Sequence, residues 1–252
     1  MRYWLLVAAS VLCIWTPSYA EKKNLQETSQ FVSLVDTSIT YSMDDLLGKF
    51  EPARHKDFTL IASSYTSKQG IYLRTEAYLA FQKMHAAALK EGVALTILSA
   101  TRNYQAQKAI WERKWKRPQY EGKTDVERTR DILKYSSMPG TSRHHWGTDI
   151  DINSLEPAYF KSGQGLNTYQ WLVKNGPDFG FYQTYTSKST GRTGYEEEAW
   201  HWSYMPIAKP MLNAYVATIS YSDIVGFSGC SSAKDVRIIE DFVNGIDPTL
   251  LK

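Results

Sequence analysis

An amphipathic helical pattern followed directly by an alternating strand pattern is the feature that most constrains the fold. Residues 73–92 carry an apolar stripe at helical spacing, formed by Tyr78, Phe81, Met84, Ala88 and Leu89. Gly92 is well placed to end this helix. Residues 93–100 alternate between apolar and small or polar side chains, which predicts a strand with one buried face, and residues 102–115 again look helical. Helix, strand and helix in succession indicate an α+β layered fold.

The rest of the chain adds short elements to this unit. Residues 118–141 are rich in Pro, Gly, Ser and Thr and predict a loop region. Further strands are predicted at residues 148–153, 179–185 and 200–204, and closing helices at 206–217 and 232–243.

The first twenty residues have the organisation of a secretory signal peptide. Arg2 precedes an apolar run that ends at Trp15, Pro17 breaks the run, and small residues stand at 18 and 20. Cleavage is expected after Ala20. The alternative is an uncleaved membrane anchor, but a spanning helix needs ~20 apolar residues and this run is shorter. The sequence therefore predicts an exported protein of the periplasm or cell envelope, without stable membrane insertion after cleavage.

The mature chain is expected to be one soluble domain. Polar residues 21–45 predict a flexible leader, and residues 46–252 are long enough for a single buried core. Cys230 is the only cysteine beyond the predicted cleavage site, so an internal disulfide is excluded and packing or a metal must stabilise the fold. A net charge of +3 is too small to indicate nucleic-acid binding. A monomer is expected.

A basic segment follows the predicted strand 93–100. Between residues 108 and 123 it carries Arg113, Lys114, Lys116 and Arg117. The segment is interpreted as a solvated helix face, with a substrate-binding patch as the alternative.

The first motif with chemical potential is SRHHWGTDIDIN, residues 142–153. Strand alternation places Asp149 and Asp151 on one face and the two isoleucines on the buried face. Two carboxylates beside His144 are unfavourable together unless a cation or hydrogen-bond donors compensate them. A divalent metal explains the grouping.

The second motif is YEEEAWHWSY, residues 195–204. Aromatic residues alternate with His201, so the histidine is expected to face the same cleft. Glu198 has the opposite strand parity and must lie on a bend to reach a metal there. Two histidines and one carboxylate leave an open position on tetrahedral zinc, where a metal lowers the pKa of water toward ~7. Glu198 is then the candidate base, and Arg102 the candidate partner of the developing oxyanion.

These residues resemble the VanY-type D-alanyl-D-alanine carboxypeptidases, which are related to VanX-type dipeptidases and certain phage endolysins. The family pattern Ser-x-His-x(6)-Asp is matched by Ser142, His144 and Asp151. Its Glu-x-x-His is matched by Glu198 and His201. Its Tyr-Arg-Ser-x-x-x-Gln segment is similar to TRNYQAQ at residues 101–107. The resemblance covers roughly residues 70–205.

The resemblance implies a zinc site and roles for the matching residues. His144, Asp151 and His201 would be the zinc ligands, with Glu198 as the base. Arg102 would polarise the carbonyl or hold the substrate. The substrate-binding residues would be Ser142, Gln107 and Asp149. It also implies a small central antiparallel sheet flanked by helices, with the metal site in a cleft on the sheet.

Some positions depart from the family pattern. Asp149 stands where alanine is common, so it is also considered as a partner of a metal ligand or as a competing ligand. His145 is interpreted as a packing or substrate-contacting residue. Ala199 and Ser203 replace a common proline and arginine, and residues 206–252 match nothing in the family.

The resemblance implies an exported enzyme that acts on the stem peptides of peptidoglycan. A zinc-dependent D-alanyl-D-alanine carboxypeptidase is the first interpretation. An endopeptidase with the same site, a non-catalytic cell-wall binding protein and a metal-dependent protein of other chemistry are the alternatives. A carboxypeptidase needs a cation for the free carboxylate, and the candidates are Arg102, Arg143 and Arg192.

Overall fold

The computed structural model describes residues 41–252. The predicted signal peptide and residues 21–40 of the predicted leader lie outside this range. The described chain begins with a short helix, α1 (Met43–Leu47), whose first turn is capped by Ser42. Both leucines of α1 are buried, so this helix, which overlaps the last residues of the segment predicted as a leader, packs into the core.

The remaining elements confirm an α+β fold. The longer helices are α2 (Thr75–Lys90), α3 (Tyr104–Trp115), α4 (Asp125–Ile132), α5 (Gly163–Asn175) and α6 (Met205–Thr218). The strands are β1 (Phe58–Leu60), β2 (Tyr72–Arg74), β3 (Ile97–Ser99), β4 (Asp149–Ile152), β5 (Phe181–Gln183) and β6 (His201–Tyr204). A π-helix covers Ile238–Val243. Short 3-10 segments cover Pro52–Arg54, Pro118–Tyr120, Arg143–Trp146, Pro157–Lys161, Gly176–Phe179, Lys188–Thr190, Tyr221–Asp223, Cys230–Ala233 and Pro248–Leu250.

A four-stranded antiparallel sheet lies at the centre, in the order β3-β4-β6-β5, and β1 pairs with β2 separately. The central antiparallel sheet implied by the resemblance is therefore confirmed. In the β4–β6 ladder, Asp151 lies opposite His201 and Asp149 opposite Ser203. Directly opposed residues place their side chains on the same face of a sheet. The register thus brings the second aspartate of β4 next to the histidine of β6.

One face of this sheet is covered by helices α2 and α5. The apolar residues in this core include Phe81, Ile97, Ile150, Ile152, Leu172 and Trp202. Because successive strand residues point to opposite faces, the aspartates of β4 and His201 of β6 project from the other face. The alternation predicted from the sequence is confirmed within β4 and β6, but Trp200, which was expected to face the core, precedes β6 and lines the cavity beside His201.

A second apolar core joins α3, α6 and the C-terminal segment that follows α6. Its members include Trp111, Trp146, Leu212, Tyr215 and Ile238. The Tyr104 hydroxyl donates to the carbonyl of Val225 at 2.6 Å, and the Trp111 indole donates to that of Ser228 at 2.8 Å. The C-terminal segment is therefore attached directly to α3. No helix between residues 41 and 252 has the length and apolarity needed to cross a membrane.

Several predicted elements differ from the structure. The strand predicted at residues 93–100 is reduced to β3, and Leu89 of the predicted apolar stripe is 52% exposed. The region 118–141 predicted as loop contains α4, which Thr124 and Glu127 begin with a reciprocal capping box. This Thr-x-x-Glu signature was present in the sequence, but the strongly polar composition of α4 concealed it.

The helix predicted at residues 232–243 is also wrong in form. Arg237 has a φ of 53°, a left-handed conformation that an α-helix cannot contain. The chain therefore forms a 3-10 turn over Cys230–Ala233 and a separate π-helix after Arg237. Helix α5 was not predicted, since the glycines in its first turn weaken the helical pattern.

Candidate metal centre and its cavity

A glycine-terminated turn places His144 at the edge of β4. The 3-10 turn Arg143–Trp146 ends at Gly147, whose φ is 69°. A Cβ at this position would lie 2.2 Å from the ring of Phe58. Both the left-handed backbone and the close contact require glycine, and the sharp turn aims His144 at the polar face of the sheet.

The orientation of the His144 ring is fixed by the backbone. Its Nδ1 lies 2.8 Å from the carbonyl oxygen of Ala100. A carbonyl oxygen only accepts hydrogen bonds, so Nδ1 carries the proton and Nε2 keeps a free lone pair. Nε2 lies 3.5 Å from Oδ2 of Asp151.

The His201 ring lies between two carboxylates. Its Nδ1 is 3.2 Å from Oδ1 of Asp151, and its Nε2 is 2.8 Å from Oδ2 of Asp149. His144 and His201 meet edge to face, with ring centroids 4.9 Å apart. One nitrogen of each ring therefore faces the same carboxylate.

These three side chains fit a small divalent cation. Ligand atoms of His144, Asp151 and His201 all lie within 4.8 Å of one another, and all three residues are buried. Tetrahedral zinc ligands about 2.0–2.2 Å from the ion lie roughly 3.3–3.5 Å from each other. The contacts of Asp151 with the two histidines, 3.5 Å from Oδ2 to His144 and 3.2 Å from Oδ1 to His201, are close to this spacing. Two imidazoles and one carboxylate are a donor set suited to zinc.

The charges around these three side chains also favour a bound cation. Burial opposes ionisation of Asp151, yet the adjacent His144 and His201 hold the pKa of this carboxyl well below its usual range. Burial lowers the pKa of His201, but hydrogen bonds to the two aspartates and their charges raise it to about 9. A proton on His201 thus supplies positive charge to the metal-free site, in the place where a cation would supply it.

Asp149 lies behind His201 and outside the cavity. Its carboxylate accepts hydrogen bonds from Arg143 Nε at 3.0 Å, Ser203 Oγ at 2.7 Å and Thr148 Oγ1 at 2.6 Å, as well as from His201. The side chain is fully buried. The resemblance implied a substrate contact for Asp149, but the structure directs its oxygens to these donors and away from the cavity, where it holds the His201 ring in place.

Glu198 occupies a turn directly before β6. The His201 N–H donates to the Glu198 carbonyl at 3.3 Å, and this turn gives the bend that strand parity required. Oε2 of Glu198 lies 3.7 Å from Nδ1 of His201. Burial raises the pKa of Glu198 to about 7, with His201 acting in the opposite direction. A carboxyl group with this pKa can both accept and donate a proton near neutral pH.

The site lies in a cavity of about 490 Å³. The predicted residues that line it are His144, Asp151, His201, Glu198, Arg102, Gln107 and Ser142. Arg102 Nη1 donates to Ser99 Oγ at 2.9 Å and lies 3.8 Å from Asp151 Oδ2. Five buried polar atoms of residues that line the cavity have no hydrogen-bond partner within residues 41–252, namely Arg102 Nε, Gln107 Oε1, Ser142 Oγ, Arg143 Nη1 and Tyr195 Oη. Such atoms are available to a bound ligand.

Three other candidates are held by contacts within the protein. His145 is fully buried, accepts from the Gly140 N–H at 3.0 Å and donates to the Arg102 carbonyl at 2.6 Å, so it packs. Arg192 donates to backbone carbonyls of its own loop, including Tyr195 at 2.6 Å. Arg143 lines the cavity, but two of its nitrogens are engaged with Asp149 and Ser203.

The structure adds cavity residues to which the sequence analysis gave no role in the site, apart from the alternative of a substrate-binding patch for the basic segment that contains Lys114. The Tyr185 ring lies 4.6 Å from that of His201, centroid to centroid, and Tyr195 and Lys114 also line the cavity. The two tyrosines belong to the loop between β5 and β6, whose position depends on the C-terminal segment. No periodicity in the sequence marks them.

The comparison with protein families agrees with this geometry. The model of the family described as "VanY: D-alanyl-D-alanine carboxypeptidase" matches residues 70–207, more than half of the chain. The chain belongs to the VanY family. The match contains every residue of the candidate metal centre and ends within α6. The C-terminal segment of this VanY-family chain lies beyond it.

Two curated relatives show the same similarity. The chain is 31% identical over 137 residues to a D-alanyl-D-alanine carboxypeptidase of Enterococcus faecalis (strain ATCC 700802 / V583), covering 54% of this chain and 49% of the relative. It is 28% identical over 169 residues to the putative carboxypeptidase YodJ of Bacillus subtilis (strain 168), covering 64% and 56%. This VanY-family chain therefore spans about half the length of these relatives.

A solved structure shares the fold. It is the structure of the LdcB LD-carboxypeptidase, an enzyme that recognises peptidoglycan. It aligns with a TM-score of 0.50 and 25% identity over 77% of this chain and 79% of that chain. The α+β architecture of the VanY-family chain is thus found in a solved relative.

Proposed function

We propose that this chain is an exported, zinc-dependent D-alanyl-D-alanine carboxypeptidase that acts on the stem peptides of peptidoglycan. The observation that carries the proposal is the convergence of His144, Asp151 and His201 on one point, with the Glu198 carboxylate 3.7 Å from His201. Three protein ligands and a nearby carboxylate that is not a ligand are typical of catalytic zinc sites. Membership of the VanY family supports the bond between two D-alanine residues as the bond that is cut.

The residues of the chain divide the chemistry between them. A bound zinc ion would supply a Lewis acid that polarises the scissile carbonyl and acidifies water. Glu198 takes a proton from the attacking water and returns it to the leaving amine nitrogen, and burial, which raises the pKa of this carboxyl, favours the exchange. Arg102 stabilises the negative charge that develops on the carbonyl oxygen, since its Nε has no partner among the described residues.

Substrate contacts are assigned to the unpartnered atoms of the cavity wall. Gln107 donates through Nε2 to the Ser137 carbonyl at 2.7 Å, which fixes the side chain and leaves Oε1 free to accept. The Ser142 hydroxyl is able to donate or accept. Both groups suit the amides of a peptide, and they sit in the same cavity as the metal ligands.

The zinc site is tested by a matched pair of histidine variants. His201→Ala removes a proposed ligand, so we expect loss of stoichiometric zinc and of D-alanine release. His85→Ala removes a histidine of α2 that lies outside the cavity, and it should keep both. Full zinc content in His201→Ala, measured by plasma mass spectrometry, would remove His201 from the ligand set.

The choice of bond is tested with two peptides. One ends in D-Ala-D-Ala, and the other ends in an L-residue followed by D-Ala, because LdcB is an LD-carboxypeptidase. Faster release of D-alanine from the first supports the proposed activity, and faster release from the second reassigns it. Export is tested by sequencing the mature protein from cells, whose first residue should be Glu21.

A further inference from the structure

Helix α3 presents one row of side chains to the cavity. Gln107, Ile110 and Lys114 all line it, at a spacing of three and four residues that places them on one face of the helix. At 1.5 Å per residue, Lys114 lies roughly 10 Å beyond Gln107 along the helix axis. The row thus runs from the neighbourhood of the candidate metal centre over a length of about three extended peptide residues.

Lys114 is a cavity cation without a carboxylate partner. It forms no ion pair within the part of the chain that the structure describes. Arg143 lies 3.0 Å from Asp149, and Arg102, which is assigned to the developing oxyanion, lies 3.8 Å from Asp151. Among the described residues, Lys114 is therefore the cavity cation without a carboxylate at ion-pair distance, and it is available to a further anionic group.

The surroundings of Lys114 distinguish it from a solvated surface lysine. Its side chain is partly buried, and burial lowers its pKa, with the positive charges of Arg117 and Arg102 acting in the same direction. Glu198 is the anion that opposes this effect. By contrast, Lys116 on the same helix end is exposed and does not line the cavity. A partly desolvated lysine without a close counter-ion is unfavourable by itself and gains from a bound carboxylate.

We propose that Lys114 is a carboxylate-binding position that determines substrate specificity in this cavity. The inference rests on the proposed function and deepens it, because it defines the substrate as a peptide with a carboxylate beside the α3 wall. Two carboxylates of a stem peptide have the required chemistry. One is the free C-terminal carboxylate, and the other is a side-chain carboxylate upstream of the scissile bond.

The test measures binding separately from turnover. Zinc-loaded protein with Glu198→Gln is titrated calorimetrically with three N-acetylated peptides ending in D-Ala-D-Ala. The parent contains one upstream carboxylate side chain, the second is its C-terminal amide, and the third has the upstream carboxylate amidated. Each titration is repeated with two double variants, in which either Lys114→Met or Lys116→Met is added to Glu198→Gln. Zinc content and circular dichroism verify that each variant is folded.

We expect Lys114→Met to raise the Kd of the parent peptide about tenfold, the effect of losing one charge-assisted hydrogen bond. Lys116→Met should leave Kd within about twofold. One of the two amidated peptides lacks the carboxylate that Lys114 contacts. Lys114→Met should not weaken the binding of that peptide further, so the peptide identifies which of the two carboxylates is bound. A tenfold effect that persists with both amidated peptides would show lost packing and overturn the proposal.

The remaining outcomes separate this proposal from the proposed function. Cleavage of the parent by the wild-type protein, with a Kd that Lys114→Met does not change, would overturn the carboxylate site alone. Binding that depends on Lys114, without cleavage by the wild type, would overturn the proposed function alone. Absence of binding by every zinc-loaded protein would overturn both.

Discussion

Nε2 of His201 donates a 2.8 Å hydrogen bond to Oδ2 of Asp149, while Nδ1 of the same ring faces Asp151 at 3.2 Å. The Asp149 carboxylate is itself held by Arg143, so neither group is free to rotate. A carboxylate behind a ligating histidine fixes the ring orientation and raises the basicity of the ligand. The pair therefore prepares His201 for a cation on its Nδ1 side.

The first prediction concerns the strength of metal binding. Asp149→Asn keeps the size of the side chain but removes the charge behind His201, so we expect zinc affinity to fall about 10–100-fold. Competition with a chromophoric chelator measures this change. Asp235→Asn alters an exposed aspartate that does not line the cavity and should bind zinc like the wild type. Equal affinity of the Asp149 and Asp235 variants would show that Asp149 has no such role.

The second prediction concerns proton release. Hydrogen bonds and charges of Asp149 and Asp151 overcome burial and raise the pKa of His201 to about 9 in the metal-free protein. At about pH 7.5 the ring is thus protonated, and zinc binding at Nδ1 must release about one proton from it. Zinc affinity should rise with pH until this pKa is passed. Calorimetry in buffers of different ionisation enthalpy gives the proton count, and an affinity that is independent of pH between about 7 and 9 is incompatible with this assignment.

The third prediction separates catalysis from metal binding. Glu198→Gln should keep zinc, because Glu198 is not one of the three converging ligands, and should lower kcat by about 10²–10⁴-fold. Glu197→Gln changes the exposed neighbour and should retain activity. Zinc content and kcat are measured for both variants. Loss of zinc in Glu198→Gln would contradict its role as a base outside the ligand set.

The fourth prediction concerns the turn that carries His144. Gly147 and Gly70 have nearly equal positive φ values, 69° and 68°, but a Cβ meets Phe58 only at Gly147. Gly70→Ala should therefore destabilise the fold by about 1 kcal/mol through φ alone, and Gly147→Ala by about 2–4 kcal/mol. Denaturant unfolding measures both. Equal losses would mean that the Phe58 contact is relieved without cost.

The faces on which Asp149, Asp151 and His201 lie could be predicted from local periodicity, whereas the ligand set as a whole was implied by the resemblance to the VanY-type family. Alternation along β4 and β6 placed two aspartates and His201 on the polar face, and the structure shows this arrangement. The bend that brings Glu198 to the site was also expected and follows from its position just before β6. Such features need only the direction of side chains within one strand.

The role of Asp149 could not be predicted in this way. Alternation places it beside Asp151, but only the β4–β6 register and the buried Arg143 show that it lies behind His201. The same limit applies to Lys114, since a basic helical segment does not show which of its lysines reaches a cavity. The helix predicted at residues 232–243 was wrong because the apolar pattern of the sequence does not indicate the left-handed conformation of Arg237.

Mass spectrometry of a purified stem pentapeptide ending in D-Ala-D-Ala tests the proposed activity most directly. The peptide is incubated with the zinc-loaded protein, with and without a chelator. We expect loss of one alanine, which the chelator abolishes and added zinc restores. Chelator-sensitive cleavage at another bond would indicate an endopeptidase. An intact peptide, with one zinc ion confirmed per chain, would contradict the carboxypeptidase assignment and favour a cell-wall binding protein.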